Sequence, residues 1–241
     1  MNNKMTVIIT MAGLGSRFRK AGYTVPKYMI EAKGKPLFDW SMDSLVNYNN
    51  YVDKYIFVVR KEDDAVGFIK DHCKPYGIDN VEVIEIDYMT DGQATTCMLS
   101  IPYCNPDTAI MVYNIDTYVE KDEMKYEDIS GEGHIPCFHA DGEHWSFVKL
   151  DSNGKVVEVR EKVRISDNCT LGAYYFSSAK LYKQLYEEYY DDSKMEKSEK
   201  YIAPLYNYMI KKGMEVTISI VNAAKVHVLG TPEELNVFLH E

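Results

Sequence analysis

The stretch Met11-Ala12-Gly13-Leu14-Gly15-Ser16-Arg17 follows directly on the apolar run Val7-Ile8-Ile9, and Pro26-Lys27 comes soon after it. Gly13 and Gly15 allow tight turns that bring backbone N–H groups up to phosphate oxygens. Arg17 offers a planar fork of donors that can clamp a phosphate, and Lys27 adds a point charge held in place by Pro26. Such an order suits the handling of a polyanion at the carboxyl end of a strand, where ligands of open parallel sheets gather. Two familiar phosphate motifs are excluded, because Phe18 stands where GxGxxG needs its third glycine and no Gly-x4-Gly-Lys-Ser/Thr run occurs. Gly13 and Gly15 alone would be no more than a turn. Joined to Arg17, a lysine-rich loop and Pro26-Lys27, they point to phosphate.

The elements that must position these groups alternate. Val7 to Met11 reads as a buried strand, Pro36 opens a helix through Val46, and Tyr55 to Val59 is the next strand. A helical pattern at Asp64 to Cys73, a strand at Val81 to Ile86, a helix from Gln93 to Ser100 and a strand at Ala109 to Tyr113 continue the series. That order predicts a mainly parallel sheet with helices on both faces. After Ile129 the strands shorten: Ile135 to His139, Trp145 to Leu150, Val156 to Arg160 and Leu171 to Phe176, with Asp151-Ser152-Asn153-Gly154 as a hairpin turn. Helices follow at Ala179 to Tyr190 and Tyr201 to Lys212, then a strand at Val216 to Val221 and a helix capped by Thr231 with Pro232 at its first position. Asp191 to Lys200 reads as a polar loop. The second half is expected to extend the first half's sheet, as one domain over residues 1–241 with a first half 1–128 and a second half 129–241.

Composition narrows the partners. The chain has 241 residues, 46% of them hydrophobic, enough to bury a real core. Its net charge of −10 argues against nucleic acid as a partner. The exception is local: through Lys35 the basic residues are Lys4, Arg17, Arg19, Lys20, Lys27, Lys33 and Lys35, against Glu31 alone, which suits a small anionic ligand. The cysteines form no CxxC pair and no apolar run reaches membrane-spanning length, so a reduced, cytoplasmic protein without membrane insertion is expected. The histidines show no metal-ligand spacing, and Tyr88, Tyr103, Tyr113 and Tyr118 are expected to pack rather than stack on a ligand.

GLGSRF followed by PKYMIEAKGKPLFDW resembles the signature of the sugar-phosphate nucleotidylyltransferases, the nucleoside-diphosphate-sugar pyrophosphorylases, and is most similar to bacterial members of capsule and lipopolysaccharide pathways. The resemblance implies a Rossmann-like three-layer α/β sandwich with a mixed, mainly parallel sheet, the GT-A-like nucleotidyltransferase fold. It implies a nucleoside triphosphate and a phosphorylated small-molecule acceptor as partners, with Mg2+ as cofactor, and a homo-oligomer is compatible with it. Arg17 and Lys27 take the catalytic places, and Met11, Ala12, Gly13, Gly15 and Ser16 border the nucleotide. Asp91-Gly92-Gln93-Ala94 resembles the base-reading segment, in which Gly92 allows close approach and Gln93 offers donor and acceptor. Asn114-Ile115-Asp116 resembles the metal motif, with Asp116 as ligand. Glu161-Lys162 matches the pair that meets the acceptor, the acid on its hydroxyls and the lysine on its phosphate. Gly172, in Leu171-Gly172-Ala173-Tyr174, lies behind the acceptor, and Gly230-Thr231-Pro232-Glu233 resembles the closing motif. One position departs: where relatives carry a second metal-binding aspartate before that closing glycine, this chain has Val228.

Taken singly, Asp116 reads equally well as a helix cap, Glu161-Lys162 as a solvated pair, and Gln93 as a helix-start residue. Two other functions use similar parts. A glycosyltransferase consuming a nucleotide sugar would carry an acidic metal motif on a similar sheet, and a non-catalytic nucleotide-binding protein could have lost its metal site, as Val228 suggests.

Overall fold

Strand β1 (Met5–Thr10) holds Met5, Val7, Ile8 and Ile9 with no solvent exposure. Covered on both faces, it needs a continuous apolar run rather than an alternating one. The computed structural model describes residues 4–190 and 199–241. A small hairpin of β2 (Glu31–Ala32) and β3 (Lys35–Pro36) precedes β4 (Val52–Arg60), β5 (Val81–Ile86) and β6 (Ala109–Asn114). β4 and β6 flank β1, and β5 flanks β4, all parallel.

Beyond β7 (Thr117–Val119) come β8 (Gly133–His139), β9 (Ser146–Leu150), β10 (Val156–Glu161), β11 (Asn168–Thr170) and β12 (Ala173–Phe176). β12 runs antiparallel to β6, so both halves share one mixed sheet in the order β10-β9-β11-β8-β12-β6-β1-β4-β5. β13 (Val216–Ile220) lies parallel on β8, and β14 (Val226–Val228) pairs separately with β7. The expected extension of the first half's sheet by the second is therefore what forms.

The helices are α1 (Ser16–Lys20), α2 (Leu37–Asp43), α3 (Val66–Cys73), α4 (Gln93–Met98), α5 (Ala179–Tyr189), α6 (Ala203–Lys211) and α7 (Pro232–His240). Alternation along β1 feeds two cores. Val7 and Ile9 pack with Phe38 and Met42 of α2 and Ile69 of α3, whereas Ile8 packs with Cys97 of α4, Leu185 of α5 and Met209 of α6. This is the expected three-layer α/β arrangement. A third, smaller cluster joins Phe18 and Leu37 to Leu235 and Phe238 of α7, fastening the chain's end to the first glycine loop.

Several expectations needed correcting. The helix opened by Pro36 stops at Asp43, where the Ser44 hydroxyl accepts from Val119 N–H at 2.9 Å, and a 3-10 segment Val46–Tyr51 follows. α1 and the three-residue β11 lie in stretches for which no element was expected. The strand expected from Leu171 starts at Ala173 because Gly172 turns the chain at φ 75°. Tyr113 is buried and Tyr118 packs on Trp40, but Tyr88 and Tyr103 are exposed, so neither does the packing expected of it. In the Asp191 to Lys200 loop, residues 191–198 lie outside the described residues.

Candidate active site

At the carboxyl ends of β1 and β6 a cleft of about 1300 Å³ opens, and most of the residues singled out in the sequence line it. Met11, Ala12, Gly13, Gly15 and Arg17 form one wall with Lys27, followed by Gly92, Gln93, Asp116, Glu161 and Gly172. Ser16 and Lys162 are not among the lining residues. Ser16 is the first residue of α1. Lys162 reaches the cleft through a neighbour, described below.

The phosphate-type loop and the acidic motif meet directly. Lys27 Nζ donates to Asp116 Oδ2 at 2.8 Å, although 89 residues separate them in sequence. β6 ends at Asn114, and the turn that follows places Asp116 at the cleft beside Asn114, while Ile115 between them also packs into the core. Asn114 is also engaged. Its side-chain oxygen accepts from the Gln93 amide, which donates a second bond to Thr10 Oγ1 at 3.2 Å. Gly172 makes room for that arrangement, since a side chain there would collide with the Asn114 amide. Its N–H side of the bargain is backbone: Asn114 N–H donates to Gly172 C=O at 3.1 Å.

Gly92 is required by a close approach of another kind. It sits at φ 147°, and a Cβ there would run into the Lys200 backbone carbonyl. That carbonyl accepts from Ala94 N–H at 3.0 Å, while Lys200 N–H donates to Asp91 C=O at 2.7 Å. Lys200 Nζ also lies 3.0 Å from Asp91 Oδ2. Burial pushes the Asp91 carboxyl up, but hydrogen bonds from Thr95 and Lys200 outweigh it and hold the group below its ordinary range.

At the other end, Glu161 ends β10 with its side chain 18% exposed. Burial raises its pKa, against hydrogen bonding from Ser146 Oγ and the charge of Lys162, 3.9 Å away. Trp145, Tyr174, Glu199 and Tyr201 line the same end.

Hard oxygen donors suitable for Mg2+ were tested on this geometry. Among the described residues no three His, Cys, Asp or Glu side chains group as a metal cage. Two carboxylates do converge: a side chain at Gly230 would lie 3.3 Å from both Asp116 Oδ2 and Glu234 Oε2. Magnesium characteristically uses one or two carboxylates and completes its shell with substrate phosphates and water, so the donor set fits. Sequence reasoning missed Glu234. The signal was present as Thr231-Pro232-Glu233-Glu234, a capping-box spacing in which Glu234 N–H donates to Thr231 Oγ1 at 3.1 Å. Tyr201 also went unmarked as a cleft-lining residue.

The nucleoside-diphosphate-sugar pyrophosphorylase from Vibrio cholerae RC9 superposes with a TM-score of 0.89 at 34% identity, over 98% of this chain and 100% of that one. This chain belongs to the nucleoside-diphosphate-sugar pyrophosphorylase family. The bifunctional protein GlmU of Methanocaldococcus jannaschii is 26% identical over 163 residues, covering 66% of this chain but only 36% of GlmU. The inositol-1-phosphate CTP transferase from T. maritima shares the fold, with a TM-score of 0.78 at 18% identity over 99% of this chain and 94% of its own. No family model matches the chain.

Proposed function

We propose that this pyrophosphorylase-family chain joins a nucleoside triphosphate to a sugar phosphate or a similar small phosphorylated acceptor, releasing pyrophosphate. The observation that carries the reading is the meeting of Lys27 with Asp116 beside the glycine turn, which puts a cation, an acid and backbone N–H groups in one cleft. The acceptor's phosphate oxygen forms a bond to the α-phosphorus in line, and the bond from that phosphorus to the pyrophosphate oxygen breaks. Several negative charges must be brought together, so positioning and charge neutralisation supply most of the catalysis.

In this reading Arg17 and Lys27 hold the triphosphate. Gly13 and Gly15 bring backbone N–H groups to it, with Met11, Ala12 and Ser16 around the turn. Gly92 and Gln93 meet the base, Glu161 orients the acceptor, Lys162 holds its phosphate, and Gly172 gives the Asn114 side chain its place. Asp116 and Glu234 would hold magnesium, which when bound neutralises phosphate charge. Residues 1–128 form the nucleotide half and residues 129–241 the acceptor half. The product would be an activated precursor for a surface polysaccharide, made in the cytoplasm, a setting with which five free cysteines agree.

A glycosyltransferase reading fares worse, because its acidic motif would have to keep both Asn114 and Asp116 for the metal, and Asn114 is engaged with Gln93. A non-catalytic reading rested on Val228, and Glu234 supplies a carboxylate that Val228 lacks. The test is pyrophosphate release from ATP, CTP, GTP, UTP and dTTP against sugar 1-phosphates, amino-sugar phosphates and amino-alcohol phosphates. Turnover of one pair supports the reading. Failure of every pair, with no triphosphate bound, overturns it.

A further inference from the structure

Glu199, Lys200 and Tyr201 form a short bridge between the two ends of the cleft. On one side, the Lys200 backbone closes on the Asp91–Ala94 turn through the two hydrogen bonds described above. On the other, the Tyr201 hydroxyl accepts from Lys162 Nζ at 2.7 Å and donates to Glu199. The Lys162 ammonium also lies over the Tyr201 ring, 4.5 Å from its centre. Without this contact a lysine side chain that is 55% exposed would sample many rotamers.

The Lys162 backbone is unusual too. It holds φ 55°, a region that non-glycine residues enter at a cost, and its N–H is fixed to the Trp145 carbonyl at 2.9 Å. Backbone and side chain are thus both constrained to deliver one ammonium to the acceptor end. Around it stand Glu161 from β10, and Glu199 and Tyr201 from the bridge. The Tyr201 hydrogen bond favours the charged form and raises the lysine's pKa.

We propose that Tyr201 is a positioning residue that aims Lys162 at the acceptor phosphate, and that the Lys200 backbone ties this aim to the base-reading turn. Acceptor binding then depends on the shape of a turn that the acceptor does not touch. The inference rests on the nucleotidyltransferase reading for the role of Lys162, but its structural half can be measured without turnover.

Competitive acetylation of the full chain with acetic anhydride, read by peptide mass spectrometry across pH, reports the titration of each lysine. In Tyr201→Phe, which keeps the ring and loses the hydroxyl, Lys162 should titrate lower and react several-fold faster, with the other lysines unchanged. Glu199→Gln should shift Lys162 in the same direction by less. With the triphosphate and acceptor pair selected from the panel above, Tyr201→Phe should raise the acceptor KM about tenfold, the size of one lost charge-assisted hydrogen bond. The triphosphate KM should stay within about twofold. Tyr201→Ala, losing ring and hydroxyl, should be worse than Tyr201→Phe.

The tie to the turn is tested by Gly92→Ala, which should loosen Lys162 in the acetylation assay although Gly92 does not touch it. Unchanged Lys162 reactivity in folded Tyr201→Phe, or a loss confined to triphosphate binding, overturns the proposal. If the native chain binds none of the triphosphates, the nucleotidyltransferase reading fails instead, and the acetylation result still decides whether Tyr201 and the turn hold Lys162.

Discussion

Lys27 and Asp116 are bonded to each other in the cleft, with side chains 19% and 32% exposed. A pair so partly exposed contributes about 1 kcal/mol or less to stability. On the proposed reading they serve the chemistry, and Lys27→Met should lower turnover about 10²–10³-fold, the cost of losing one preorganised charge, while the melting temperature barely moves. Near-normal activity in a folded Lys27→Met protein would remove Lys27 from the triphosphate. Asp116 and Glu234 make a linked prediction about metal. With two carboxylates, one of them shared with Lys27, the free protein should bind Mn2+ weakly, and a non-hydrolysable triphosphate should strengthen binding by supplying further oxygens. Electron paramagnetic resonance should then show Glu234→Gln weakening the ternary complex, Asp116→Asn nearly abolishing it, and Val228→Ala leaving it unchanged. Tight binding by free Asp116→Asn protein would require another ligand set.

The parallel pair of β8 and β13 illustrates what an element adds. His134, fully buried on β8, sits between Thr217 Oγ1 at 2.8 Å and Ser219 Oγ at 3.1 Å on β13. Burial pulls its pKa down to about 4, whereas an unfolded histidine titrates near 6.5. Above that value both states are neutral and the contribution is complete. As pH falls from 6.5 towards 4 the unfolded chain takes the proton first, and stability is lost, to about 3 kcal/mol at the lower end. Urea midpoints at pH 7 and pH 4.5 should differ less for His134→Gln than for the native protein. β1, β4, β5 and β6 were legible because buried parallel strands announce themselves as apolar runs, and the glycine turn because it lies within a few residues. Glu234 and Tyr201 were not, since what gives them a place in the site is nearness to Asp116 and Lys162, far away in the chain. β11 is too short to show a period, and nothing in Tyr88 or Tyr103 themselves tells which side faces water.

At the scale of the molecule, the two halves interlock. Trp40, from the first half, packs on Phe238 of α7 with ring centres 5.1 Å apart, while Trp145 belongs to the second half beside Phe138. Because β6 and β12 also join the halves within one sheet, the chain should unfold as one cooperative unit. Single-tryptophan variants retaining Trp40 or Trp145 should give coincident urea transitions, and separated midpoints would show that residues 1–128 and 129–241 unfold independently. The Lys27–Asp116 bond matters at this scale as well. A body carrying −10 should repel a triphosphate from a distance, and Lys27 spends its field on an internal partner. The exposed arginines at the mouth, Arg17 and Arg19, reach outward, and Arg19 already leans on Glu62 at 3.4 Å. Capture thus works against repulsion, so the rate of triphosphate arrival should rise as salt screens it, and the exchange of Asp116 for phosphate on Lys27 becomes the moment at which the ligand is recognised.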